Sequence, residues 1–98
     1  MLIGVLAAYA FLVNPYLEGH KLKDRQWACP TRDAVVIVRG AGLLSPTLLA
    51  RSVQAHDCIR GPKQVRVTVP LWFPGRLERK VRIDGAIYYA DRNNLERE

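Results

Sequence analysis

The chain opens on its least ambiguous pattern. Met1–Val13 reads MLIGVLAAYAFLV, without a charged or strongly polar side chain, and is followed by the turn-like Asn14-Pro15 and then by Glu18-Gly19. Apolar residues fall on every face of a helix drawn through this run, and a helix apolar all round is buried in protein or in lipid. The pattern predicts an apolar N-terminal helix over residues 1–19 that acts as a membrane anchor. Two other readings compete: a secretory signal ending near Ala8-Tyr9-Ala10, and a buried helix of a soluble assembly. As a span the run is short, since thirteen helical residues reach about 20 Å against a hydrocarbon core of about 30 Å. Gly4 and Ala8 offer a small-residue face on which such a short helix could pack against neighbouring membrane helices.

Residues 20–33 are polar and irregular, contain Pro30, and read as a linker or first loop anchored by Trp27. Ala34–Val38 is a continuous apolar run bounded by Asp33 and Arg39-Gly40, the pattern of a central strand covered on both faces. Ser45-Pro46 then supplies an N-cap followed by proline at the first helical position, predicting a short helix from Pro46 to about His56 with Leu48, Leu49, Ser52 and Val53 inward. Gly40-x-Gly42 ahead of it lacks the third glycine of a dinucleotide fingerprint, and the chain has no room for that fold.

From Gln64 the pattern alternates: Val65, Val67, Val69, Leu71 and Phe73 point one way, and Arg66, Thr68, Pro70 and Trp72 the other. Leu77, Val81 and Ile83 resume the alternation after Pro74-Gly75, so the two runs predict an antiparallel hairpin, with Gly85 as a bulge before Ala86–Tyr89. Opposed side chains share a face, so parity decides the register. Pairing Phe73 with Arg76 would set apolar residues against charges. Pairing Phe73 with Leu77 sets Val69 against Val81 and Val67 against Ile83, leaving only Leu71 opposite Arg79 discordant. The fold class expected is therefore α+β: an apolar helix over 1–19, a linker over 20–33, a small domain over 34–90 with a central strand, one short helix and a C-terminal hairpin, and a fraying polar tail over 91–98.

Composition bounds function more than fold. The 98 residues fit one domain, and the net charge of +6 is carried wholly by the part after the apolar run. This balance favours phosphate groups, on nucleic acid or on lipid headgroups. The outer face of the predicted hairpin would present Arg66, Trp72, Lys80 and Arg82, with Arg79 reaching round the edge, as a polyanion-binding set; the competing reading is a solvated strand face whose cations alternate with Glu78 and Asp84.

Cys29 and Cys58 are the only cysteines, and an even count behind an apolar leader suits one disulfide in an exported protein, with free buried thiols as the alternative. His20, Cys29, His56 and Cys58 lack the paired ligand spacing of a zinc site. The order of charges argues the other way on location: Lys21, Lys23 and Arg25 follow the apolar run and would hold the body in the cytoplasm. No carboxylate pair, Ser–His–Asp set or phosphate loop presents itself. The sequence therefore reads as a non-enzymatic structural or accessory subunit of a membrane or envelope assembly, with its domain on the oxidising side. It is expected to use no cofactor, metal or small-molecule substrate, and to meet other subunits through its N-terminal helix and lipid nearby. The second reading is a nucleic-acid or polyanion binding module.

Overall fold

A tight turn at Asp84-Gly85 sets the register of the main sheet. The computed structural model describes residues 16–98, in the order β1 Leu17–Leu22, β2 Trp27–Ala28, α1 Arg32–Leu44, α2 Pro46–Ala55, β3 Ile59–Arg60, β4 Lys63–Val67, β5 Glu78–Ile83, β6 Ala86–Asp91, a 3-10 turn Arg92–Asn94, and β7 Leu95–Arg97. Asp84 (φ 51°) and Gly85 (φ 81°) both take left-handed backbone and join Ile83 to its partner Ala86, the two-residue hairpin that Asp-Gly favours. Gly85 is thus a turn residue and not a bulge.

Five strands form an antiparallel sheet in the order β6-β5-β4-β1-β7. Its two edge strands, β6 and β7, are joined by the three residues Arg92–Asn94 alone. Across a flat sheet those edges would stand about 19 Å apart, whereas the four Cα steps from Asp91 to Leu95 reach at most about 15 Å fully extended, and less in a 3-10 turn. The sheet therefore curls into a partly closed barrel. Its inside is filled by Leu22, Val65, Val67, Val81, Ile83, Ala90 and Leu95, with Ala28 beside them.

A second layer is inserted between β1 and β4. The β2–β3 ribbon pairs Trp27 with Arg60 and Ala28 with Ile59, and Cys29 exchanges both backbone hydrogen bonds with Tyr89 at 2.8 and 2.7 Å, so the insertion docks on the β6 edge. Cys29 is bonded to Cys58, and with Trp27, Ala34, Val35, Val38 and Val53 it makes a second core against which Tyr89 and Leu49 pack. The disulfide closes a loop of 29 residues, worth roughly 3–4 kcal/mol in the chain-entropy treatment. Gly61 lies so close to the β1 exit that a Cβ there would collide with the Lys23 carbonyl oxygen and sit 2.8 Å from that of Leu22.

Several expectations are corrected. Ala34–Val38 is not a central strand but the start of α1: Thr31 caps it, its Oγ1 accepting from the Ala34 N–H at 3.1 Å, and Gly40 and Gly42 lie within the helix instead of ending a strand. The run is continuous because α1 is apolar on two sides. Ala34, Val35 and Val38 are buried, while Val36 and Ile37 are 46% and 53% exposed. The domain therefore has two helices, and the second, capped by Ser45 Oγ, runs Pro46–Ala55. Val53 is buried there as expected, but Leu48 faces outward.

The hairpin is also shorter than expected. Val67 pairs with Val81, displaced by two residues from the predicted Val67–Ile83, and residues 68–77 form a ten-residue loop where a three-residue one was expected. Pro70 and Pro74 have no N–H for a ladder, and the Phe73 N–H turns back to the Pro70 carbonyl at 3.0 Å. The shift by two keeps parity, so Val65, Val67, Val81 and Ile83 still share the buried face.

The supposed linker contains the second half of β1, all of β2 and the first residues of α1, and the supposed tail contains β7, which pairs with β1. At its C-terminal end the expected 1–19 helix is overturned, because Leu17–Gly19 are in β1. The rest of it, with Gly4 and Ala8, lies outside the described residues. Among the described residues no helix is long and apolar enough to cross a membrane.

Candidate interaction surfaces

The outer face of β4 and β5 is the first surface the sequence nominated. Alternation places Arg66 directly across from Arg82 there. Two like charges so opposed repel, and each has found a partner. Arg66 Nη2 lies 2.8 Å from Glu18 Oε1, and the Arg82 guanidinium stacks over the Tyr16 ring at 4.7 Å. Lys63 reaches Asp84 at 3.5 Å nearby. The open groove at this face is lined by Arg66 and Arg82 against Glu18, Asp84 and Glu98, so a phosphate chain laid along it would meet carboxylates as often as cations.

The other nominated residues do not join them. Lys80 is exposed on the same face of β5. Arg79 points inward with Val81 and is only 8% exposed. Its Nη2 donates to the Phe73 carbonyl oxygen, while its Nε is buried without a partner among the described residues. Arg79 therefore lies beneath the 68–77 loop, turned away from the outer face that carries Arg66, Lys80 and Arg82; the discordance with Leu71 seen in the sequence marked an inward-facing charge. Trp72 stands on that loop, outside the ladder, 78% exposed.

The loop makes the second surface. Trp72, Phe73 and Leu77 are exposed, with the first two rings tilted at 6.2 Å. The loop is fixed at its end by the Arg92 N–H donating to the Leu77 carbonyl at 2.8 Å. A groove beside it is lined by Leu17, Pro70, Leu71 and Trp72 together with Glu18, His20, Arg97 and Glu98. The start of β1, which follows the apolar run in sequence, thus adjoins the aromatic loop.

The third surface was not read from the sequence. On α1, Val36, Ile37, Leu43 and Leu44 face outward, Leu43 at 85% and Leu44 at 76% exposure, and Leu48 continues the stripe onto α2. Their spacing around Gly40 is helical, a signal hidden by reading residues 34–38 as a strand.

Chemistry at the cysteines is closed off by the disulfide, which removes both thiolates from the two-Cys, two-His set. Of the histidines, the His20 ring shares a hydrogen bond with the Glu18 carbonyl and the His56 ring one with that of Ser52, each at 3.0 Å. Among the described residues no three His, Cys, Asp or Glu side chains group as metal ligands. Compared with models of known families, with curated proteins and with solved structures, the chain matches none of them.

Proposed function

We propose that this protein is a non-enzymatic accessory subunit of an envelope-associated multiprotein assembly, held at a membrane surface with its domain on the oxidising side. The observation that carries this reading is the juxtaposition of Leu17 with Leu71 and Trp72. Thirteen uncharged residues precede Asn14, and the chain emerging from them begins its first strand beside the largest exposed aromatic group of the domain. An amphipathic tryptophan at that point suits the headgroup region, where one side of the ring is apolar and the other wet. The Cys29–Cys58 bond favours an oxidising compartment over the cytoplasm suggested by Lys21, Lys23 and Arg25, and Lys21 is in any case engaged with Glu96 at 3.1 Å. The polyanion reading loses support, because three of the four cations it needs are paired (Arg66), stacked (Arg82) or buried (Arg79), which leaves Lys80 as the exposed one outside any ion pair among the described residues.

The test combines three measurements on intact cells or particles: carbonate extraction, labelling with an impermeant thiol reagent before and after reduction, and native electrophoresis. The reading expects resistance to extraction, labelling of Cys29 and Cys58 only after reduction, and migration in a complex with other chains. Extraction as a soluble protein whose thiols label only after lysis would overturn it.

A further inference from the structure

The outward stripe of α1 is symmetric about one residue. Counting from Gly40, apolar side chains stand three and four positions before it, Ile37 and Val36, and three and four positions after it, Leu43 and Leu44. All four are exposed, and a Cβ built at Gly40 would meet nothing within 4 Å, so the glycine leaves a notch in the middle of the stripe. These offsets are the ridges by which helices interdigitate. A small residue at the crossing point lets two backbones approach closely.

We infer that this face is the interface of a two-fold symmetric dimer, in which α1 of one copy crosses α1 of a second copy antiparallel at Gly40. A two-fold interface requires a surface complementary to itself. Antiparallel packing centred on Gly40 sets Val36 against Leu44 and Ile37 against Leu43 of the second copy, apolar against apolar throughout. Asp33 is exposed in the first turn of α1 and has no ion-pair partner among the described residues. The symmetry would be idle in a contact with lipid or an unrelated chain, and Asp33 at the end of the stripe disfavours an anionic membrane. This inference does not depend on membrane attachment.

The full chain, purified in mild detergent, tests it by sedimentation equilibrium together with oxidation of the Gly40→Cys variant. The wild type is expected to be a dimer, and Leu44→Glu to weaken it on the order of a hundredfold, because each dimer loses two buried leucines, while circular dichroism stays unchanged. G40C is expected to yield a peptide linked through position 40 to itself, with Cys29 still bonded to Cys58. Leu44 is exposed in the single copy, so L44E leaves the fold intact; should it nevertheless unfold, the position-40 link decides alone. A monomeric wild type, or the absence of that self-link, overturns the dimer. A monomer whose binding to phosphatidylcholine vesicles drops with L44E assigns the stripe to lipid and overturns it equally.

Discussion

The guanidinium of Arg39, on α1, lies 3.1 Å from the carboxylate of Asp91 at the end of β6. Asp91 in turn faces Glu78 across the β5–β6 ladder, and Arg39 reaches that carboxylate too, at 3.2 Å. Strand pairing forces two acids together, and a helix packed over them supplies the cation that makes the pairing tolerable. The helical layer and the barrel are thus joined by charge near Asp91 and by the Cys29–Tyr89 bridge further along the same strand.

Replacing Arg39 with methionine is expected to lower stability by about 1–3 kcal/mol in a urea melt, the range for hydrogen bonds to charged groups, with Arg39→Lys recovering part of it. The hydrogen bonds to Asp91, then Glu78, raise the Arg39 pKa above its ordinary value. A cation whose pKa is raised by folding contributes stability in full below its unfolded pKa and loses it only as pH rises through the folded one. That contribution is therefore flat from about pH 6 to about pH 10, and a melt series over that range checks it.

Reduction, or Cys58→Ser, is expected to cost about 2–4 kcal/mol. The loss falls unevenly. Amide exchange should quicken in α1 and α2, whose small core is closed by the disulfide, more than in β4 and β5, whose core lies inside the barrel. Equal loss of protection in both layers would show that the layers do not open separately.

Gly61→Ala is expected to destabilise the domain by more than about 1 kcal/mol, as overpacking does. The added Cβ meets the backbone oxygens of Lys23 and Leu22, which cannot rotate away as a side chain can. Thermal unfolding measures it, with Ala50→Gly on the exposed side of α2 as a control expected to lose only about 1 kcal/mol through helix propensity.

Arg79→Met is expected to change global stability by less than about 1 kcal/mol, because a buried guanidinium without a carboxylate is itself costly and an apolar chain of similar length fills its place. The 68–77 loop, deprived of the hydrogen bond to Phe73, loosens. Faster amide exchange and proteolysis confined to that loop would show it, and an unchanged loop would mean that Arg79 is not its clamp.

The legible parts were those governed by neighbours in sequence. Ser45-Pro46 starts a helix because the cap and the fixed proline φ act within one turn, and the alternation of Val65, Val67, Val81 and Ile83 marks one buried face whatever the register. The Asp84-Gly85 turn is equally local, but Pro74-Gly75 carries a competing turn signal between two alternating runs and draws the expected hairpin to itself. The inward charge of Arg79 was visible as a mismatch, though not its partner, since a carbonyl six residues away is found only once the loop has a shape.

What the sequence determined by itself is the parity of the barrel strands, the cap and course of α2, and the presence of two cysteines suited to a bond. Only the tertiary structure decided that Ala34–Val38 is helical. A short apolar run fits a covered strand and a helix apolar on two sides equally well; Thr31 is a local cap, and what decides beyond it is the surface that Cys29 and Tyr89 offer to one side of the run. Closure of the sheet was likewise decided far from any local signal, because β7 finds β1 some seventy residues away in the chain, through contacts that no window of sequence contains.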